Sequence, residues 1–364
     1  MSVFPSDRVF IIAEAGVNHD GVLADALTMV DVAAEAGADA VKFQTFTAEA
    51  ALTARAMKAD YQVANTGQGG NQLDMVKRLE LDAAAHDALH ARCRERGIAF
   101  LSTAFDMDSL RLLARYDMPA IKIPSGDLTW GPMLLAAARM GRPLLVSTGM
   151  ATLDEVRDAL AVIAFALTRD GDPADLAETH TVFDTPQGQA ALQNAVTLLH
   201  CTTQYPAPVE AVNLRAMITV AETFGLPIGY SDHTLGLTVP VAAVALGARV
   251  IEKHFTLDRA RSGPDHAASL TPDELTAMVR AIRDTEAAMG SSEKAPSAAE
   301  APNRLVARRS LVAARPIAAG VILKPDLMTA KRPADGLSPM RAWDLAGSTA
   351  ARDYAADDAI EDRA

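Results

Sequence analysis

Eight short apolar runs in this 364-residue chain end in, or just beyond, a polar side chain able to do chemistry. In order these are Glu14, Lys42 with Gln44, Thr103, Lys122 with Ser125, Ser147, Thr203 with Tyr205, Ser231 with His233, and His254. Lys42 and Lys122 supply positive charge, and Thr103, Ser125, Ser147 and Ser231 supply neutral hydroxyl donors around them. A small molecule carrying both a phosphate and a carboxylate needs this mixture of ammonium groups and neutral donors. Two other readings of the lysines stand beside that one. They could pair with carboxylates such as Glu14 or Asp127, or one of them, desolvated, could form a Schiff base.

His233 and His254 end consecutive runs. On neighbouring parallel strands about 4.8 Å apart, two imidazoles at equal height reach one ion at about 2.1 Å each. Two protein ligands leave coordination positions for water and substrate oxygens, as a Lewis-acid site requires. Histidine with oxygen donors suits Mn2+, with Mg2+ or Co2+ as alternatives. Against this, a rim histidine can simply be a hydrogen-bonding residue. Cys201, one run earlier, is either a third ligand or a small core residue.

The elements that must position these groups are the runs themselves: 9–15, 40–45, 98–103, 120–125, 144–148, 196–202, 227–232 and 249–254. They are short, largely rich in Val, Ile or Leu, and lack clean alternation, which suits parallel strands covered on both faces. Helix signals lie between them. Thr152-Leu-Asp-Glu155 and Thr271-Pro-Asp-Glu274 are capping boxes, the second with proline at the first helical position. Gly37 and Gly97 fall where left-handed caps would close helices. Eightfold alternation of strand and helix predicts an α/β protein with a (β/α)8 (TIM) barrel over 1–290. The polar run ends then share one rim, at the C-terminal ends of the strands, where active sites of this fold lie. The segment 291–303 (SSEKAPSAAEAPN) reads as a linker. The tail, 304–364, has short β-like pieces broken by Gly and Pro and reads as a small accessory domain.

Composition narrows the class. A formal net charge of −12 argues against a non-specific nucleic-acid surface, though not against an anionic small substrate in a locally cationic cleft. Two cysteines, Cys93 and Cys201, make no disulfide framework. No run approaches 18 apolar residues, and the N-terminus lacks the pattern of a signal peptide, so a cytoplasmic enzyme without membrane association is expected.

These residues carry a family resemblance. Glu-Ala-Gly-Val-Asn-His-Asp-Gly (14–21), Lys-Phe-Gln-Thr (42–45), Ser-Thr-Ala-Phe-Asp (102–106) and Lys-Ile-Pro-Ser-Gly-Asp (122–127) resemble successive blocks of the sialic acid synthases. So do Ser-Thr-Gly-Met (147–150), His-Cys-Thr-Thr-Gln-Tyr-Pro (200–206), Gly-Tyr-Ser-Asp-His-Thr (229–234), Glu-Lys-His-Phe-Thr (252–256) and Gly-Pro-Asp-His (263–266). The stretch from Arg-Arg-Ser-Leu-Val-Ala (308–313) through Lys-Arg-Pro (331–333) resembles that family's small β-rich antifreeze-like (SAF) domain.

The resemblance implies condensation of phosphoenolpyruvate with an open-chain N-acylated amino sugar, to give a nine-carbon 2-keto acid. It implies phosphoenolpyruvate held by Lys42, Lys122, Thr103, Ser125, Ser147, Ser231 and Tyr205, and a divalent metal on His233 and His254. Glu14, Gln44, Asp127 and Asp265 would face the sugar, and Arg332 would reach in from the C-terminal domain of a partner subunit in a swapped homodimer. Three positions depart from the pattern. Asp127 stands where many members have Glu, Thr203 where some have Asn, and Trp130 where Asn is found. These departures bear on which sugar is used: N-acetylmannosamine, 2,4-diacetamido-2,4,6-trideoxymannose, or a pseudaminate-type substrate. Two further readings are a synthase acting on a phosphorylated aldose, as in the deoxyheptulosonate and deoxyoctulosonate phosphate synthases, and a carbohydrate-binding module on a degenerate barrel.

Overall fold

The computed structural model describes residues 8–67 and 70–362. The chain divides into two compact units, Met1–Gly290 and Ser291–Ala364.

In the first unit the eight expected strands form. They are β1 (Phe10–Gly16), β2 (Ala40–Thr45), β3 (Ala99–Ala104), β4 (Ile121–Ile123), β5 (Leu144–Ser147), β6 (Val196–Cys201), β7 (Ile228–Asp232) and β8 (Val250–His254). Each pairs in parallel with its neighbour in sequence, and β1 also pairs with β8, so the sheet closes. Closure explains the absence of alternation in the strands: one face points into the barrel and the other lies under helices, so both are buried. Ile11, Ile12, Val41, Leu101, Leu145, Leu198, Val250 and Ile251 are all essentially inaccessible.

Both capping boxes form as read. Thr152 Oγ1 accepts from Glu155 N at 3.3 Å and Glu155 Oε2 accepts from Thr152 N at 2.7 Å, opening the helix Leu153–Thr168. Thr271 and Glu274 do the same for Pro272–Met289. Gly97 closes Ala83–Arg96 in the left-handed conformation (φ +70°), where a Cβ would be strained.

Two connections are more elaborate than simple alternation suggests. Between β2 and the helix Ala83–Arg96, three short helices intervene: Ala48–Ala51, Asp60–Thr66 and Gln72–Lys77. Between β5 and β6, Leu153–Thr168 is followed by Leu176–Phe183 and Pro186–Ala195. Residues of the first insertion line a cavity together with Gln44 and Tyr205.

In the second unit, β9 (Ser310–Ala313) and β10 (Met328–Lys331) form an antiparallel pair. A bridge joins Val312 of β9 to Ala359, and separate bridges join Ile317 with Tyr354 and Ile322 with Thr349. The unit has its own small core, including Leu311, Ala313, Ile317, Leu323, Tyr354 and Ile360. The segment read as linker ends inside a short helix, Ala301–Ala307. Among the described residues no helix is long and apolar enough to cross a membrane.

Barrel closure leaves no room at Gly229. A Cβ there would lie 2.5 Å from Val250 O and 2.6 Å from Leu199 Cδ2, contacts that the wall can relieve only by spreading β6, β7 and β8. Gly229→Ala should therefore destabilise the barrel by about 1–3 kcal/mol, read as a lower urea midpoint at unchanged m-value.

Candidate active site

Strand pleat and register determine which side chains meet. Glu14 on β1 is in register with both Lys42 on β2 and His254 on β8. Gln44 pairs with Thr103 on β3, Thr103 with Lys122 on β4, and Ser231 on β7 with Glu252 on β8. Side chains two apart on a strand share a face. Lys42 with Gln44, and Glu252 with His254, therefore point the same way, toward the C-terminal rim.

The floor of this rim is a buried cluster of charges. Lys42 Nζ lies 2.8 Å from Glu14 Oε2 and 3.6 Å from Glu252 Oε2, and donates to Thr103 Oγ1 at 2.9 Å. Lys122 Nζ lies 3.7 Å from Glu252 Oε1, which also accepts from Ser231 Oγ at 2.7 Å. The carboxylate-pairing reading of Lys42 is thus partly correct: it pairs with Glu14. Glu252 was not among the residues singled out from sequence. The signal was present, since Glu252 stands two before His254 on one strand and so shares its face.

The cluster is uneven in charge. Burial pushes Glu252 up, but Lys122 and Lys42 outweigh it and hold its carboxyl at about 2. For Glu14 burial wins over the nearby Lys42, and its carboxyl rises to about 7. Lys42 is held above the usual ammonium range because its two carboxylates outweigh its burial, whereas Lys122, with less compensation, is pushed down by burial. The floor therefore contains one firm carboxylate, one carboxyl poised near neutrality and two lysines. An anion arriving there meets a site short of negative charge.

Hydroxyls line the side of β4 to β6. Ser125 Oγ lies 3.0 Å from Cys201 Sγ and accepts from Gly149 N at 3.0 Å. A Cβ on Gly149 would lie within 2.8 Å of Thr203 Oγ1, Cys201 Sγ and Ser125 Oγ, so those three groups converge on that glycine. Ser147 Oγ and Asp127 Oδ2 are buried with no hydrogen-bond partner among the described residues. Burial raises Asp127 to about 6, against the pull of Lys122.

The two histidines follow this wall, at the ends of β7 and β8, with ring centroids 5.6 Å apart. His233 Nδ1 lies 2.6 Å from the carbonyl of Thr202, which fixes Nδ1 as the donor and leaves Nε2 with its lone pair. His254 Nδ1 is buried and has no hydrogen-bond partner among the described residues. Burial lowers His233 to about 4, and burial together with His233 lowers His254 well below the usual range, so both rings are neutral. Neutral, partly unpartnered imidazoles fit a divalent cation. Among the described residues no group of three or more His, Cys, Asp or Glu could hold one, so Cys201 does not complete a protein triad.

Tyr205 packs on both rings, 4.0 Å from His233 and 5.6 Å from His254, and is itself backed by Tyr61 at 5.2 Å. Tyr61 comes from the first insertion, whose helices wall a cavity of about 250 Å3. Gln44, Tyr61, Gln62, Gln72, Tyr205 and Asp265 give that cavity its polar groups, while residues such as Leu52, Met75, Leu79 and Phe105 make most of its wall apolar. Burial alone raises Asp265 to about 7. The rim and this cavity hold every singled-out residue except Arg332, which is exposed in the second unit just after β10.

Fold and rim together define a (β/α)8-barrel protein whose mouth joins a lysine–carboxylate floor to a histidine pair. The chain belongs to the NeuB family, whose model matches residues 29–294; a SAF domain model matches residues 308–362. It is 44% identical to the N,N'-diacetyllegionaminic acid synthase of Campylobacter jejuni, covering 98% of this chain and 99% of that one. The corresponding synthase of Legionella pneumophila is 42% identical over 93% of this chain and 89% of its own. In structure, the chain resembles the N-acetylneuraminic acid synthetase of Leptospira borgpetersenii, with a TM-score of 0.65 and 31% identity, covering 81% of this chain and 90% of that one.

Asp265 generates a pH prediction. Its folded-state pKa, about 7, lies above its ordinary value of 3.8. The unfolded chain therefore releases this proton first as pH rises, and the folded state loses stability between about pH 4 and pH 7. Asp265→Asn, uncharged throughout, should match the parent at pH 4 and exceed it at pH 8 by on the order of a few kcal/mol, measured by urea unfolding at both values.

Proposed function

We propose that this enzyme condenses phosphoenolpyruvate with open-chain 2,4-diacetamido-2,4,6-trideoxymannose, releasing phosphate and a legionaminate-type nine-carbon 2-keto acid. The observation that carries the reaction is the floor of two lysines against one firm carboxylate, set beside two neutral histidines. The choice of sugar rests on the largely apolar cavity and on the two relatives named above. A deoxygenated C6 methyl and two acetyl methyls suit Leu52, Met75 and Phe105, while Gln44, Gln62 and Asp265 can meet amide and hydroxyl groups.

In this reading Lys42 and Lys122 hold the phosphate and carboxylate charges of phosphoenolpyruvate. Thr103, Ser125, Ser147 and Ser231 supply neutral donors, and Tyr205 closes one side. A divalent cation held by His233 and His254, Mn2+ in preference to Mg2+ or Co2+, supplies Lewis acidity at the sugar aldehyde when bound. C3 of phosphoenolpyruvate forms the new bond to the aldehyde carbon, whose oxygen takes up a proton. Positive charge developing at C2 is met by water, from which Glu14 or Asp127, poised near neutrality, removes a proton. The bond from C2 to the phosphate oxygen then breaks while the new C2 hydroxyl passes its proton to the departing phosphate, so that inorganic phosphate leaves and the keto group remains. Gln44, Thr203, Asp127 and Asp265 orient the open-chain sugar.

Phosphate release tests this reading directly. Turnover should require a divalent cation, stop in chelator and return with Mn2+, and His233→Ala should lower kcat by orders of magnitude while leaving the unfolding midpoint in place. Among sugars, the diacetamido-trideoxy substrate should exceed N-acetylmannosamine in kcat/KM by roughly tenfold or more, the range that a few differing pocket contacts produce. Borohydride should trap no adduct on Lys42 or Lys122. Full turnover in chelator, or a trapped lysine adduct, would overturn the mechanism; preference for N-acetylmannosamine would overturn the choice of sugar.

We also propose that a homodimer with exchanged C-terminal units brings Arg332 to the sugar in the partner's barrel. The segment 291–303, at about 3.3 Å per extended residue, is long enough to carry the tail away from its own barrel. Arg332→Ala and His233→Ala, refolded together, should recover roughly a quarter of parental activity, because half the dimers are mixed and one of their two sites carries neither lesion. No recovery from a verified mixed dimer would reject the exchange.

A further inference from the structure

We infer that the buried ion pair of Asp232 and Lys253, on the outer face of the barrel, is the device that positions His233 and His254 for a shared cation. This rests on the reading of those histidines as a cation site. Asp232 and Lys253 are register partners across β7 and β8, and each is followed directly by one of the two histidines. Ser231 and Glu252, one residue earlier, meet inside the barrel, so by the pleat Asp232 and Lys253 point the opposite way. Neither side chain is exposed at all.

Their bonds close a small loop around His233. Lys253 Nζ donates both to Asp232 Oδ2 and to the carbonyl of Thr234. Asp232 Oδ1 accepts from Thr234 N at 3.0 Å, and Oδ2 accepts from Thr234 Oγ1 at 3.1 Å. The backbone on both sides of His233 is therefore tied to the strand that carries His254. A fully buried ion pair contributes little net stability compared with apolar side chains of similar size, since several kcal/mol of desolvation per ion must be offset. What it supplies that apolar residues cannot is direction: one ammonium aimed at one carbonyl and one carboxylate. Two imidazoles sharing an ion need such direction, because bond lengths to the metal tolerate only about 0.2 Å of error.

Mn2+ binding to the full-length chain without substrates, measured by calorimetry, tests this apart from turnover. The parent should bind Mn2+ and His233→Ala should not; if both bind alike, the histidine site itself is wrong. Given that dependence, Asp232→Asn/Lys253→Met, which removes both charges together, should weaken Mn2+ binding by about 10- to 100-fold, the usual effect of losing a group that orients a ligand. Its phosphoenolpyruvate KM at saturating Mn2+ should stay within about threefold of the parent, whereas general damage to the barrel would raise both. Thr234→Val keeps the ion pair and removes one hydroxyl bond, and it should weaken Mn2+ binding several-fold even if the double variant fails to fold. Parental Mn2+ affinity in Thr234→Val, or in a folded double variant, would overturn the inference.

Discussion

Two lysine ammoniums buried at the bottom of a closed barrel cannot stay there uncompensated, and the arrangement of the mouth follows from that constraint. Lys42 is met by Glu14 and Glu252, and Lys122 by Glu252. Compensation is incomplete by design of the geometry: Glu252 is shared between the lysines, and Glu14 is buried enough to rise to about 7. A site with two full compensating charges would have no use for an anionic substrate. The floor is thus left short of negative charge, and Glu14 is able to exchange a proton near neutral pH.

Everything else in the mouth is arranged around that floor by the barrel's geometry. Successive strands deliver hydroxyls from β3 to β7, and the short glycine at 149 lets Ser125, Cys201 and Thr203 crowd together. The neutral histidines occupy the closing seam between β7 and β8, beside the floor but carrying no charge of their own. Charged and neutral groups are thus kept on neighbouring but distinct surfaces.

The insertion after β2 adds what the barrel lacks. Its three short helices give no ammonium to the cavity they wall, only Tyr61, Gln62, Gln72 and apolar side chains. The cavity therefore offers shape and a few polar groups, whereas the floor of the rim offers charge.

By itself the sequence determined the barrel, its strand boundaries to within about two residues, its helix caps and the list of rim residues. These depend on local signals: unalternating Val, Ile and Leu runs, Thr–x–x–Glu boxes and polar residues at run ends. Motif likeness then extended them to a family and to a small β-rich tail. Tertiary structure decided who touches whom. Glu252 could be placed between the lysines only once barrel closure set β8 against β1, because its partners Lys42 and Lys122 lie more than a hundred residues away. The same closure paired Lys42 with Glu14, made Cys201 a neighbour of Ser125 rather than a member of a metal triad among the described residues, and buried Lys253 against Asp232. The apolar character of the cavity beside Tyr205 also escaped the sequence, since much of its wall comes from short helices with too few turns to show a periodic face. Local propensity is written in neighbouring residues, whereas the pKa of Glu14 and the pairing of the lysines depend on distances that exist only after the sheet has closed.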